Sequence, residues 1–422
     1  MIYIVKEGDT IASIASLYNV SAQRLAYHNR LEESSQLVAG QAILILIPVL
    51  LHRVQSGETL TDIAAAHDTA VMEILRNNPY LAVDPVLYAG EELVIQYEDT
   101  KTDSIHINSY AYPDIRKELL LETLPCLTSL SIYSYRFTAT GDLLSPADEP
   151  LIALAGDFNT NPILVLTPSL RSSHSNSGLI SQLLNNREMR NRVIEHIQII
   201  MEQRKYRGIN LDFRYILTSD RDLFTDFIRN LQTCMHEQGY TISITLPFQT
   251  FPIEQDTFLS TIDYAGLSTC VDFMIFMSLD WESAEGPPMP VVPFNQITAV
   301  LEQIVTEVPR EKIVMRFPNY AYDWPLPYSQ GRTAATVIGN DEAASLAMRH
   351  RSPILYDTVA QAPFFEYSLR GVPHIVWFED VRSMYAKLQL LADYNIQGIS
   401  YWPLMYSFRP NWLLLNAMFH IL

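Results

Sequence analysis

Three polar residues, Asn210, Asp212 and Arg214, stand at alternate positions of the run Arg207-Gly208-Ile209-Asn210-Leu211-Asp212-Phe213-Arg214. Polar groups alternating with apolar ones mark a buried strand, on which residues two apart share a face. An amide, a carboxylate and a guanidinium on one face can orient a polar ligand, and the carboxylate can stabilise a developing positive charge. Arg214 cannot serve as a general acid, because a guanidinium with a pKa above about 12 has no proton to release near neutral pH.

Composition narrows the partners. The 422 residues are 48% hydrophobic and 18% charged, which describes a folded globular chain of two or three units. A formal charge of −18 argues against nucleic acid, whose phosphates need clustered Lys and Arg, and leaves an uncharged glycan easier to accept. Apolar runs fall short of the roughly 20 residues that a membrane span requires, so no membrane partner is expected. The opening Met1–Thr10 lacks a basic segment, an apolar stretch and a small-residue cleavage site, so synthesis is expected to end in the cytosol. Cys126, Cys234 and Cys270 cannot all pair and lack metal-site spacing, which fits a reducing compartment. HExxH, Walker A, GxSxG and dinucleotide-turn motifs are missing from the sequence, and neither metal nor cofactor is expected.

The first hundred residues repeat themselves. Tyr3-Ile4-Val5-Lys6-Glu7-Gly8-Asp9-Thr10-Ile11 returns as His52-Arg53-Val54-Gln55-Ser56-Gly57-Glu58-Thr59-Leu60, and Ile14, Ala15, Leu25 and Asn29 return as Ile63, Ala64, Ile74 and Asn78. Each copy reads as strand, helix, helix, strand, with Asp9 or Thr10 and Glu58 or Thr59 opening the first helix. Asn29 and Asn78 end the second helix, where a residue tolerant of left-handed backbone is expected. Gly40 and Gly90 turn the chain into the closing strand. The copies, about residues 1–48 and 51–97, resemble LysM modules, which bind N-acetylglucosamine glycans between the first turn and the loop before the last strand. That resemblance implies Gly8, Asp9, Thr10, Asn29 and Leu37 in one groove and Gly57, Glu58, Thr59, Asn78 and Leu87 in the other. Two weak sites on one chain gain avidity on a repetitive polymer.

After a polar linker at Glu98–Asp103, strand and helix signals alternate through residues 104–422. Strands are expected at Ser104–Tyr112, Ser129–Phe137, Pro162–Ser169, Gly208–Tyr215, Thr241–Phe248, Asp272–Trp281, Lys312–Tyr322 and Gly398–Leu404. Helices are expected between them at Arg187–Lys205, Ser219–Gln238, Asn295–Val308 and Glu379–Tyr394, with Ser219–Asp222 as a cap. Eight strands joined by helices make an α/β fold, a (β/α)8 TIM barrel, with a small α+β insertion at about residues 326–376 before the last strand. Sites in such barrels lie at the C-terminal strand ends. The residues expected there are Tyr110, Asp212, Arg214, Asp280, Trp281, Tyr320, Tyr322, Trp324 and Trp402, a mixture of aromatic faces and polar groups suited to a sugar.

The barrel resembles glycoside hydrolase family 18, and the whole chain resembles two-LysM spore proteins that include cortex-fragment-lytic N-acetylglucosaminidases. Ile107–Tyr112, Ile132–Tyr135, Tyr206–Tyr215, Gly286-Pro287-Pro288, Tyr322-Asp323-Trp324, Val376–Asp380 and Gly398–Trp402 carry the likeness. The family pattern on the fourth strand is Asp-Gly-x-(Asp or Asn)-x-Asp-x-Glu. Its Glu protonates the leaving oxygen while the substrate's own acetamido oxygen attacks, held by the preceding Asp, which departs from the two-carboxylate scheme. Here Gly208, Asn210 and Asp212 fit; Arg207 replaces the first Asp, Arg214 replaces the Glu, and Leu279 stands where a sixth-strand Tyr is usual. Losing general-acid assistance costs on the order of 10² to 10⁴ in rate. The resemblance therefore implies a peptidoglycan-binding spore-envelope protein without hydrolytic activity, in which Asp212 and Arg214 form an ion pair. Retained N-acetylglucosaminidase activity through Asp280 or Glu282 is the alternative. Spore coat proteins are further candidate partners, and deposition from the mother cell onto the coat or cortex is the expected localisation.

Overall fold

The computed structural model describes residues 1–98, 101, 103–169, 173–213, 216–248, 262–278 and 284–422. Arg214, Leu279, Asp280, Trp281 and Glu282 lie outside the described residues.

Eight parallel strands close on themselves: Asp103–Ala111, Ser129–Phe137, Asn161–Pro168, Gly208–Asp212, Thr241–Phe248, Phe273–Ser278, Ile313–Pro318 and Gly398–Trp402. Each pairs with the next, and the eighth returns to the first through Gly398 opposite His106. Each overlaps an expected strand. The fourth is buried along its whole length, as a parallel strand covered on both faces should be. Gly208 is obligatory there, since a Cβ would sit 2.2 Å from Thr241 Oγ1.

The outer helices follow local signals. Arg187–Arg204 is capped by Asn186, whose side chain accepts from Met189 N, and ends at Lys205 in left-handed backbone. Val381–Asp393 carries a capping box between Asp380 and Ser383. The cap expected at Ser219–Asp222 is different. The helix there runs Arg221–His236 without a side-chain cap bond, and the buried Asp220 instead accepts from Asn185 Nδ2 at 3.0 Å, tying it to the end of the helix Ser173–Asn185.

The seventh strand stops at Pro318 rather than Tyr322. The chain then enters an antiparallel five-stranded sheet that takes in Ala321–Pro325, Thr336–Ile338, Leu355–Asp357, Ala362–Leu369 and Val372–Trp377, with the helix Asn340–His350 against it. Tyr322-Asp323-Trp324 already belongs to this sheet, opposite Ile375, Val376 and Trp377. An apolar run that continues through a turn does not show in sequence where one sheet gives way to the next.

Each N-terminal repeat forms βααβ around its own small core, with Ile11, Ile14, Leu25 and Ile43 in the first and Ile63, Ile74, Leu93 and Ile95 in the second. The second repeat adds a short helix, Tyr80–Val83. Gly8 and Gly57 turn at φ +88° and +85°. Thr10 and Thr59 then cap their helices with Ser13 and Asp62 completing capping boxes. The asparagines depart from expectation: neither Asn29 nor Asn78 is left-handed. Asn29 Nδ2 donates to Leu25 O and Leu44 O while its Oδ1 accepts from Leu44 N, and Asn78 does the same with Ile74 and Val94. These amides pin the second helix to the closing strand.

Both repeats sit against the barrel. Arg409 bonds Glu122 through Nε and Nη2 and Tyr27 O through Nη1, with its guanidinium 3.9 Å above the Tyr27 ring. Arg76 Nε donates to Pro125 O, and Asn416 Nδ2 donates to Asn77 Oδ1.

Candidate functional site

The lumen of the barrel collects polar groups on the first, fourth and fifth strands. Register places Asn210 opposite Ser243 and Asp212 opposite Thr245. Asn210 Nδ2 donates to Ser243 Oγ at 3.0 Å. The Tyr110 hydroxyl lies 3.0 Å from Asn210 Oδ1 and 2.7 Å from Thr245 Oγ1, which is itself 3.0 Å from the same Oδ1. Two hydroxyl protons serve these three contacts, so one hydroxyl donates to the other and the second to the amide. Tyr110 and Asn210 are fully enclosed, and Asp212 is 3% exposed.

Aromatic rings crowd the end of the eighth strand. Trp402 meets Tyr110, Tyr112 and Tyr133 edge-on at centroid distances of 5.3, 5.7 and 4.8 Å. Arg316, on the seventh strand, places its guanidinium 4.2 Å from the Trp402 ring centroid and 5.1 Å from that of Tyr110. It is 5% exposed, and its Nη1 lies 3.7 Å from Met277 Sδ. Guanidinium stacked on indole is a strong cation–π arrangement. Arg316 was not among the expected site residues. Its signal was available in sequence: a charge inside the apolar run Ile313-Val314-Met315-Arg316-Phe317-Pro318, where a buried strand rarely tolerates one.

Tyr320 follows the end of the seventh barrel strand by two residues, while Tyr322 and Trp324 lie on the first strand of the extra sheet. Tyr320 meets Tyr322 edge-on at 5.3 Å, and Tyr322 meets Trp324 tilted at 5.0 Å, along the start of the extra sheet. Trp324 is 1% exposed and donates its indole N–H to Gly286 O, so it packs as core. The structure thus brings Tyr110 together with Asn210 and Trp402, with Asp212 two residues after Asn210 on the same strand, opposite Thr245.

At the opposite end of the barrel, a cavity of about 320 Å³ is lined by His106, Asn108, Ser129, Ser131 and Phe273 among others. Asn108 Oδ1 accepts from Ser129 and Ser131 and its Nδ2 donates to Ser400, while burial depresses His106 to about 4. These internal bonds tie the first, second and eighth strands together at this end of the barrel, with Arg207 also lining the cavity.

In the repeats, the turn carboxylates face inward on their own turns. Asp9 accepts from Lys6 N at 2.7 Å and Tyr3 OH at 2.8 Å, bonds that hold its pKa below the usual carboxylate range. Glu58 accepts from Gln55 N and from His52 Nε2, and its pKa is lowered by the same bonds. Leu37 and Leu87 pack half-buried against the repeat cores. Among the described residues no His, Cys, Asp and Glu group is arranged to hold a metal, and no helix is long and apolar enough to cross a membrane.

Comparison with known proteins gives these features a context. Residues 159–406 match the profile described as Glycosyl hydrolases family 18, and residues 3–46 and 52–96 each match the LysM domain. The putative sporulation-specific glycosylase YdhD of Bacillus subtilis is 34% identical, over 100% of this chain and 99% of its own length. The cortical fragment-lytic enzyme of the same organism is 34% identical, over 100% and 98%. The crystal structure of the Bacillus cereus spore cortex-lytic enzyme SleL superposes with a TM-score of 0.84 at 31% identity, covering 100% of this chain and 98% of that one. The closed eight-stranded barrel, the paired βααβ repeats and these full-length matches agree, and the chain belongs to the two-LysM branch of glycoside hydrolase family 18, related to sporulation and spore-cortex-lytic enzymes.

Proposed function

We propose that this protein binds the N-acetylglucosamine glycan of the spore cortex without cleaving it, as part of the spore envelope. The reading divides the chain into an N-terminal glycan-holding part, made of repeats at 1–48 and 51–97, and a barrel at 104–422. The observation that carries it is Arg214, two residues after Asp212, at the position where the family places its proton donor. A fixed cation there supplies no proton and opposes the positive charge that builds at the sugar's anomeric carbon. Asp212 remains to orient an acetamido group, with Asn210 and Tyr110 beside it and the Trp402 ring held under the Arg316 guanidinium; Asp280 and Trp281 follow the sixth strand in sequence and are proposed as further sugar contacts.

The likeness to a sporulation-specific glycosylase and a cortical fragment-lytic enzyme favours a second reading, retained hydrolysis. It needs another acid, and Asp280 and Glu282, which follow the sixth strand in sequence, are the candidates. One assay separates the two. Purified protein is incubated with cortex fragments, released N-acetylglucosamine is measured, and binding to insoluble peptidoglycan is followed by sedimentation. Binding without release, with turnover appearing in Arg214→Glu, is the expected result. Release by the wild type that Asp212→Ala abolishes, and that Asp280→Asn or Glu282→Gln also removes, would establish hydrolysis instead.

A further inference from the structure

The two repeats are alike in sequence but not in what they leave open. In both, the loop before the closing strand is held beside the first turn by the same pair of backbone bonds. Gly40 N donates to Val5 O and Val5 N to Gln41 O in the first; Gly90 N donates to Val54 O and Val54 N to Glu91 O in the second. Turn and loop therefore form two walls of one groove in each copy.

In the first repeat one wall is already occupied. Val38 is 7% exposed and joins the core of the extra sheet, with Ile338, Ala343, Ala347, Ile354 and Phe365. Ile354 N donates to Ala39 O at 2.9 Å, and a Cβ on Gly40 would lie 1.9 Å from Ile354 O. Arg30, just past the second helix, lies 3.6 Å from Asp341 and donates to Ser407 Oγ.

The second repeat docks through a different face. Arg76 and Asn77 on its second helix bond the barrel, the short helix Tyr80–Val83 packs on the helix Lys117–Thr123, and the residues of the loop that follows are largely exposed. Tyr88, the counterpart of Val38, is 65% exposed, with Val86 49% and Val83 36% exposed nearby. Nothing but the tip of Arg53 comes within 4 Å of a Cβ placed on Gly90. An exposed phenol flanked by aliphatic groups suits the C–H face and hydroxyls of a neutral sugar.

We propose that the second repeat alone carries the glycan strand, in the groove between Gly57–Thr59 and Leu87–Gly90, and that the first repeat is a fixed strut whose corresponding loop is spent on the extra sheet. This rests on the glycan-binding reading above and assigns it to one module.

The test uses the full chain and a tetramer of N-acetylglucosamine, with hydrogen exchange read by mass spectrometry. Protection is expected in peptides spanning residues 55–60 and 84–91 and absent from 6–11 and 35–41. Tyr88→Ala should weaken tetramer binding at the second repeat about tenfold, as for loss of one aromatic contact. Val38→Ala should leave it within about twofold. Protection of the first-repeat peptides, or undiminished second-repeat binding in Tyr88→Ala, overturns the assignment. Wild-type protein that fails to sediment with peptidoglycan and shows no protection in either repeat overturns the glycan-binding reading itself, and this assignment with it.

Discussion

Arg316 sets the character of the barrel mouth at the scale of one side chain. Its guanidinium covers the Trp402 ring at 4.2 Å, in a position that a sugar ring would otherwise compete for. Desolvated stacking of this kind contributes about 2 kcal/mol. Arg316→Ala should therefore lower stability by about that amount in urea denaturation. It should also uncover the indole, so that N-acetylglucosamine oligomers quench tryptophan fluorescence in the variant more than in the wild type. Equal stability and equal quenching would show that the guanidinium does not guard the ring. The neighbouring Asn210 answers to a different test. Asn210→Leu leaves Tyr110, Thr245 and Ser243 without their shared amide in a closed lumen, and a loss of about 2–3 kcal/mol is expected from stranded hydroxyls.

Among the elements, the helix Val381–Asp393 depends on a charge pair rather than on apolar packing alone. Lys387 is fully buried and bonds Glu379, itself 2% exposed, which also accepts from Ser383. Burial raises the Glu379 pKa and lowers that of Lys387, and each charge counters the shift of the other. Removing one partner strands the other: Lys387→Met should cost about 3–5 kcal/mol, and adding Glu379→Leu should recover most of it. Chemical denaturation of the single and double variants reads this directly. The helix itself was legible in sequence as a helical pattern at Glu379–Tyr394; its Asp380–Ser383 cap and the Glu379–Lys387 pair were not, since neither is fixed until the chain folds. The barrel strands were legible for the same local reason, being apolar runs bounded by turns. Local pattern was silent on the sheet to which Tyr322 and Trp324 belong, and it gave Asn29 and Asn78 a backbone role when their side chains do the joining.

Across the whole molecule, the first repeat and the extra sheet meet at an acid whose titration reports on the contact. Burial pushes the Asp341 carboxyl up from 3.8 to about 6, against the hydrogen bond from Ser407 and the charges of Arg30 and Arg409, with Glu122 adding to the rise. The folded state thus holds this proton more tightly than the unfolded chain does. Stability from the neutral acid is fully present below about pH 4 and is lost as pH rises through about 6, because the unfolded state then binds fewer protons than the folded one. A shift of this size corresponds to about 2–3 kcal/mol, an upper bound for a side chain that is 17% exposed. Asp341→Asn keeps an acceptor for Ser407 and removes the titration. The variant should match the wild type near pH 4 and exceed it by about 1–2 kcal/mol at pH 7, with urea midpoints measured across that range. A variant less stable than the wild type at pH 7 would mean that Arg30 holds the ionised acid firmly enough to outweigh its burial, and that the strut is fastened by an ion pair.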